Sequence, residues 1–476
     1  MDCLCGIRYD KWHHRVMEAQ HFEMNFAWKN YLNRITPTQF IVLGYLATVI
    51  VSTIVLRLPI SWREGVQLSW MDALFTATSA VSVTGLTVVN TAESFSEFGK
   101  IALLFMFQLG GIGIMTLGVF LWLILGRNIS LSYRKLIMVD QNRENLSGLV
   151  QLLKIVFILA LYIEGIGTVL LTVYFRLAGY YDDWLTAFVH SVFHAISAFT
   201  NAGFDIYGSS LSNFAHDYVV QTITMLLLVF GAIGFPVLIE LREYFFGKHE
   251  RYQFSLYTKV SGIMFFLLVL VGAVGIWLME KDLYYAALPW HEKLFFSLFN
   301  SITTRSGGLA TMDVAVFSIP TQLLLAMLMF IGASPSSVGG GIRTTTFAVV
   351  MLALYDYALG RNEVRAFRRA IKQEDILKSF IVFTAAAIIV LFSMTVLAYT
   401  EQNHIPLIAL IFEICSAFGT SGLSMGVTPE LSTAGKWIII MLMFIGRIGV
   451  LSLLFMFRTR KRKQSYHYPK EEIIIG

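Results

Sequence analysis

Charge is scarce in this chain. Only 14% of its 476 residues are Asp, Glu, Lys or Arg, while 56% are hydrophobic. That balance excludes an ordinary soluble domain and indicates an integral membrane protein. Cysteine is nearly absent: Cys3 and Cys5 stand in a polar N-terminal arm and Cys415 in an apolar stretch, which gives no disulfide scaffold. A phosphate-binding loop ending in Gly-Lys-Ser/Thr is missing, so no nucleotide is expected on this chain through that motif. Catalytic patterns are equally thin. His190 and His194 are spaced for one helix face, but Ser191-Val192-Phe193 between them lacks the metalloprotease glutamate. His291-Glu292 has no second histidine four places on. The reading is therefore not an enzyme, with no metal site beyond a monovalent cation and no nucleic-acid partner.

Long apolar runs are plentiful instead. Eight cross a bilayer by length: 40–58, 101–125, 152–175, 219–239, 260–279, 323–354 (interrupted), 376–398 and 437–457. Of the 36 lysines and arginines, 25 fall in the N-terminal segment, the 126–150, 242–259 and 359–378 loops and the 458–476 tail. By the positive-inside rule, both termini of a multi-pass cell-membrane protein are cytoplasmic. Within the third span, Lys154 can snorkel to the interface, and Glu164 requires an internal hydrogen bond.

The chain repeats itself. Ser82-Val83-Thr84-Gly85-Leu86 is echoed by Asn201-Ala202-Gly203-Phe204, Ser306-Gly307-Gly308-Leu309 and Thr420-Ser421-Gly422-Leu423, with glycines 118, 105 and 114 residues apart. Each echo follows an apolar segment too short to span, expected as a short helix over 71–82, 184–199, 290–303 and 406–418, and precedes a full-length one. The expected fold is all-α: four helix–pore-loop–helix units around a central pore. The expected division is an N-terminal segment 1–36, modules 37–126, 127–247, 248–359 and 360–457, and a basic tail 458–476. The last helices carry a second echo, Gly110-Gly111-Ile112-Gly113, Gly231-Ala232-Ile233-Gly234 and Gly446-Arg447-Ile448-Gly449, with Gly332-Ala333-Ser334 and a break in the third module. Small residues at helix contacts account for it. The last helices of modules two and four are expected to run unbroken, over 219–246 and 436–457.

Non-helical backbone at membrane depth must line a cavity or pack in protein. Four extended loops ended by glycine give carbonyl oxygens that can replace the hydration shell of a cation. The filter candidates are Thr84, Gly85, Asn201, Ala202, Gly203, Gly307, Gly308, Ser421 and Gly422, with Gly308 preferred over Gly307 as the third glycine. Arg447 lies inside an apolar run, where an unpartnered charge costs at least about 2.5–3.5 kcal/mol and marks function. Arg305 sits within the third motif and reads as filter support, since a cation beside the path would repel a cation.

These motifs resemble the Trk/Ktr/HKT superfamily of potassium transporters, over nearly the whole chain from Pro37 onward. The resemblance is most specific at residues 303–308, 416–423 and in the glycine-rich run from Ile331 to Thr346. Eight spans without an added N-terminal pair look like the KtrB branch. The third filter reads Ser-Gly-Gly-Leu where that family more often has Thr-Ala-Gly-Phe, and Ser336, Val338 and Arg343 stand where Gly, Thr and Lys are common. The resemblance implies K+ uptake, with Na+ as an activator. It also implies a homodimer in the lipid bilayer and a cytosolic nucleotide-binding ring of KtrA-like regulatory subunits. It further implies a gate formed by Arg447 with Gly332, Ser334, Pro335, Ser336, Ser337, Gly339, Gly340 and Gly341. Glycine at all four filter positions goes with potassium preference. The rival readings are a Na+-permeable or K+/Na+ symporting member of this fold, and a secondary transporter of an organic solute built from broken helices.

Overall fold

The computed structural model describes residues 36–113, 149–247, 252–401 and 405–456, with 469 and 471. The N-terminal arm with Cys3 and Cys5, most of the basic 126–150 loop, the second half of the span expected over 101–125, and almost all of the basic tail lie outside the described residues.

Four units follow one another with the same plan. The first has α1 (Pro37–Arg57), the short α2 (Trp70–Ser82) and α3 (Glu97–Gly111). The second has α4 (Leu149–Leu177), α5 (Trp184–Phe199) and the pair α6 (Tyr218–Ala232) and α7 (Phe235–Phe246). The third has α8 (Leu256–Glu280), α9 (Trp290–Thr303), α10 (Ile319–Phe330) and α11 (Thr344–Ala358). The fourth has α12 (Gln373–Thr400), α13 (Leu407–Gly419), α14 (Thr433–Ile448) and α15 (Val450–Met456). Helices α1, α4, α8 and α12 are long and apolar enough to cross a membrane.

Local chemistry explains the helix starts. Thr36 and Gln39 form a reciprocal capping box ahead of Pro37. The hydroxyls of Ser69, Ser96, Ser255 and Ser432 and the carboxylates of Asp183 and Asp217 accept first-turn amides. Tertiary bonds then repeat around the ring, because each last helix is tied at its start to the end of its unit's first helix. Ser96 Oγ donates to the Ile60 carbonyl, and Tyr174 donates to Asp217 at 2.9 Å. The buried carboxylates of Glu280 and Glu401 accept from the hydroxyls of Ser318 (2.6 Å) and Ser432 (2.5 Å). Lys436 meets Asp72 at 3.1 Å and joins the fourth unit to the first.

The expectation of unbroken last helices is overturned. The chain turns by 107° between α6 and α7 and by 94° between α14 and α15. Gly234 (φ +101°) and Gly449 (φ +88°) take up these turns, a backbone region that side chains disfavour. The echoing glycines therefore have two duties. Gly110, Gly231 and Gly446 are packing contacts: a Cβ there would land on the carbonyl of Val81, Phe199 or Phe418, each four residues before a filter glycine. The glycine three places further on in the second and fourth units breaks the helix.

The freed backbone groups find one another. The 331–343 segment between α10 and α11 sends the Ser334 and Val338 amides to the carbonyls of Ala232 (3.0 Å) and Gly231 (3.1 Å), and receives the Phe235 amide on Ser336 (2.8 Å). The Gly341 amide reaches the Gly446 carbonyl at 3.2 Å. Breaks in three units thus satisfy each other, as a region without water requires.

Candidate ion pathway

Each short helix aims its C-terminal end at the centre, and its residues there are small and buried. In α2 every residue from Thr76 to Ser82 is buried. Thr78 and Ser191 return their hydroxyls to the carbonyl four residues back, at 2.8 and 2.7 Å, so these two are satisfied inside their own helices.

The four motifs adopt one backbone conformation. Val83, Asn201, Ser306 and Thr420 are left-handed (φ 56°, 55°, 72° and 47°), and two residues later Gly85, Gly203, Gly308 and Gly422 are left-handed again (φ 94°, 71°, 73° and 85°). Left-handed backbone is unfavourable by roughly 1–2 kcal/mol for a residue with a Cβ, and worse for branched Val83 and Thr420. Such strain persists only where the surroundings over-determine it, and it gathers at functional sites.

The four glycines close a ring. A Cβ on Gly85 would stand 2.9 Å from the Gly203 Cα, on Gly203 2.9 Å from the Gly308 Cα, on Gly308 3.4 Å from the Gly422 Cα, and on Gly422 3.0 Å from the Gly85 Cα. Gly308, not Gly307, takes the ring position in the third unit. Gly307 instead turns back to the Thr303 carbonyl at 2.7 Å, one residue tighter than Thr84, Ala202 and Ser421, which reach Ser79, Ser197 and Ser416 at 2.8 Å. Thr84, Asn201, Ala202, Gly307 and Ser421 are all buried beside the ring.

A hydroxyl stands behind each loop, and the sequence reading missed all four. Ser79 and Ser416 accept the Gly85 and Gly422 amides at 3.1 and 3.0 Å. Ser197 and Thr303 donate to the carbonyls of Phe204 (2.6 Å) and Leu309 (2.7 Å). The available signal was spacing: a serine six residues before the glycine in units one, two and four. Ser416→Ala leaves the buried Gly422 amide unpaired, a loss of about 1–3 kcal/mol. It is expected to lower the thermal unfolding midpoint of the purified chain by a few degrees, while Ser416→Thr retains it.

Beneath the ring lies the 331–343 segment. The Gly340 amide donates to the Thr420 hydroxyl at 2.8 Å, and a Cβ on Gly339 would meet the Ser306 hydroxyl at 2.7 Å. Ser334 pairs with the Thr344 hydroxyl at 3.0 Å, Ser337 donates to the Ser334 carbonyl at 2.6 Å, and the Pro335 carbonyl accepts Tyr257 at 2.6 Å. A Cβ on Gly332 would collide with the Gly340 carbonyl, and one on Gly341 would stand 3.1 Å from Gly419, so the segment folds tightly on itself and on α13. Arg447 is buried in the last turn of α14 and donates to the carbonyls of Val338, Gly110 and Gly111. The structure thus brings Arg447, the loop and the end of α3 together. Tyr45, Gly113, Ser336, Ser337, Arg343 and Arg447 are among the residues lining a cavity of ≈ 100 Å³ on that side.

Arg305 is the largest fully buried side chain among the described residues. It donates to the Thr304 hydroxyl and the Leu328 carbonyl. These are the C-terminal ends of α9 and α10, where the helix dipole favours a cation. Arg447 is held likewise at the ends of α14 and α3. Among the described residues neither guanidinium makes an ion pair; both are held by carbonyl and hydroxyl oxygens.

The remaining sequence candidates are structural. His194 shares a hydrogen bond with Thr224 at 2.8 Å and His190 with Tyr181 at 3.0 Å. Among the described residues no group of three His, Cys, Asp or Glu could hold a metal ion. Glu164 accepts from Gln108 at 2.7 Å, between α4 and α3.

A family model described as TrkH, a cation transport protein, matches residues 23–467. The chain is 51% identical over 453 residues to Ktr system potassium uptake protein D of Bacillus subtilis (strain 168), covering 95% of this chain and 100% of that protein. It is 38% identical over 446 residues to Ktr system potassium uptake protein B of the same organism, covering 93% and 97%. Its fold matches the crystal structure of the potassium transporter TrkH from Vibrio parahaemolyticus with a TM-score of 0.67 at 21% identity, over 87% of this chain and 84% of that one.

Proposed function

The chain belongs to the TrkH family of cation transport proteins, and from that premise we propose that it is the ion-translocating subunit of a potassium uptake system. Potassium passes through the four loops, shedding water onto backbone carbonyls. The membrane potential drives it, at about 2.3 kcal/mol per charge per 100 mV. The observation that carries this reading is the closed ring of four glycines, each preceded two residues earlier by a strained left-handed residue. A solute carrier has no need for four copies of that conformation about one axis.

In this reading the 331–343 segment and Arg447 form the gate, one module contributing the loop and another the charge. The modules follow the 37–126, 127–247, 248–359 and 360–457 division. Both termini face the cytoplasm, by the distribution of basic residues. The basic 361–372 connection and the 458–476 tail lie on that face, where a homodimer meets a soluble nucleotide-binding ring.

Growth of a cell lacking its own potassium uptake, at limiting potassium, tests the function. Expression of the chain is expected to restore growth, and uptake of a potassium tracer to resist excess sodium. Restoration that follows sodium instead would assign a sodium path. No restoration by correctly inserted protein, with or without its soluble partner, would overturn the proposal.

A further inference from the structure

The connection between α11 and α12 carries a feature that ion conduction does not use. Arg365–Ala366 and Arg369–Ala370 pair as a two-residue hairpin. Its turn is Phe367-Arg368, both left-handed (φ 49° and 62°). Tight hairpins of this kind favour Asn-Gly or Gly-Gly because side chains resist that conformation. Here an aromatic and a cation occupy the tip, and Phe367 is 50% exposed. The base is firmly held: buried Asp356 on α11 accepts Arg361 at 2.7 Å and the Arg365 amide at 2.9 Å. The hairpin is thus a rigid mount that presents a phenyl ring and a guanidinium outward.

Under it lies a cavity of ≈ 640 Å³. Its lining is apolar at Leu354 of α11, at Ile376 and Phe380 of α12 and at Val364 and Ile371 from the hairpin's flanks, and polar at Arg361, Asn362, Glu363 and Gln373. Ile376 and Phe380 lie in the first turns of α12, a helix long and apolar enough to cross a membrane, which puts the hairpin just before it near the headgroup level. Arg361 and Arg365 are already engaged by Asp356 and Glu363. Among the described residues Arg368 and Arg369 make no ion pair and are exposed.

We propose that this cavity binds an anionic phospholipid, one acyl chain lying against Leu354, Ile376 and Phe380 and the phosphate facing Arg361, Arg368 and Arg369. Three observations agree. The wall is apolar where lipid tails are. Arg361 lines the cavity beside Glu363, which Arg365 pairs, and the hairpin that contributes Ala370 to the lining adds Arg368 and Arg369, so the surplus positive charge there complements a phosphate, and guanidinium suits that geometry. The exposed phenyl ring sits where aromatic side chains favour the interface. The site does not depend on which ion the chain carries. It does touch the pathway's frame, since α11 begins at Thr344, whose amide and hydroxyl meet Ala333 (3.3 Å) and Ser334 (3.0 Å) of the intramembrane loop.

The test is binding of dioctanoyl phosphatidylglycerol to the purified full chain in neutral detergent, beside the matching phosphatidylcholine and inorganic phosphate. Phosphatidylglycerol is expected to saturate, with phosphatidylcholine markedly weaker and free phosphate not binding in the same range. Arg368→Gln should weaken phosphatidylglycerol about fivefold, as expected for one cation near a headgroup, and leave phosphatidylcholine unchanged. Ile376→Trp, which fills the apolar side of the cavity, should weaken both lipids. Equal affinity for the two lipids, or phosphate binding as well as phosphatidylglycerol, overturns the proposal. So does an Ile376→Trp variant that changes self-association but not lipid affinity, since the cavity would then be covered by a second copy of the chain.

Discussion

Potassium uptake by Gly422→Ala is expected to fall at least about a hundredfold. Two independent penalties converge there. The residue is left-handed (φ 85°), which disfavours alanine by about 1–2 kcal/mol. Its Cβ would also fall inside contact with the Thr84 carbonyl, besides standing 3.0 Å from the Cα atoms of Gly308 and Gly85. Thr84 belongs to the opposite end of the sequence, so the methyl displaces an oxygen of the first loop, one of those proposed to face the ion. Overpacking of a dense site typically adds about 1–3 kcal/mol. Gly85→Ser should show a graded version, with reduced uptake and weaker discrimination against sodium. Tracer uptake with sodium competition, on variants whose membrane abundance matches the parent, reads both. Wild-type uptake and unchanged competition in Gly422→Ala would remove the ring from the pathway.

Arg447→Ala is expected to act in the opposite direction and raise potassium flux in the absence of any soluble partner. A unit positive charge beside the path, at an effective dielectric constant of about 20, opposes a passing ion by a few kcal/mol, at least about tenfold in rate. The charge is not neutralised, because its contacts are the carbonyls of Val338, Gly110 and Gly111 rather than carboxylates. Removing it also releases the loop from α3. Arg447→Gln separates the two effects: it keeps a donor for the loop but loses the charge, so its flux should approach that of alanine if repulsion dominates. Arg447→Lys should stay near the parent. Shortening the loop across 336–340 tests the steric half, and it too should raise flux. Flux assays in liposomes containing the purified chain alone decide. If the alanine and loop variants, correctly inserted, both conduct like the parent, the gate lies elsewhere.

Much of this was legible before any coordinates. The short helices expected at 184–199 and 290–303 are α5 and α9 as found. The other two differ by one residue at their ends. Hydropathy and glycine spacing are local properties, and a half-length apolar run followed by glycine has few ways to sit in a bilayer. The bends at Gly234 and Gly449 were not legible. An apolar run with a glycine in it reads the same whether the helix continues or turns, and the choice is made by partners. The amide of Phe235 turns away because the Ser336 carbonyl is there to receive it. The hydroxyls of Ser79, Ser197, Thr303 and Ser416 were visible as letters, but two accept amides and two donate to carbonyls. Only the placed backbone decides which.

The sequence by itself determined that this protein lives in a membrane, that it is four copies of one unit, and that a glycine follows the short helix of each. Those facts follow from composition, hydropathy and repeat spacing, which need no long-range contact. The tertiary structure alone decided that the four glycines meet in one ring and that Arg447 is bound to the loop of another module. These depend on segments more than a hundred residues apart arriving within hydrogen-bond reach. In a medium without water, a broken helix must find its missing partners in another part of the chain.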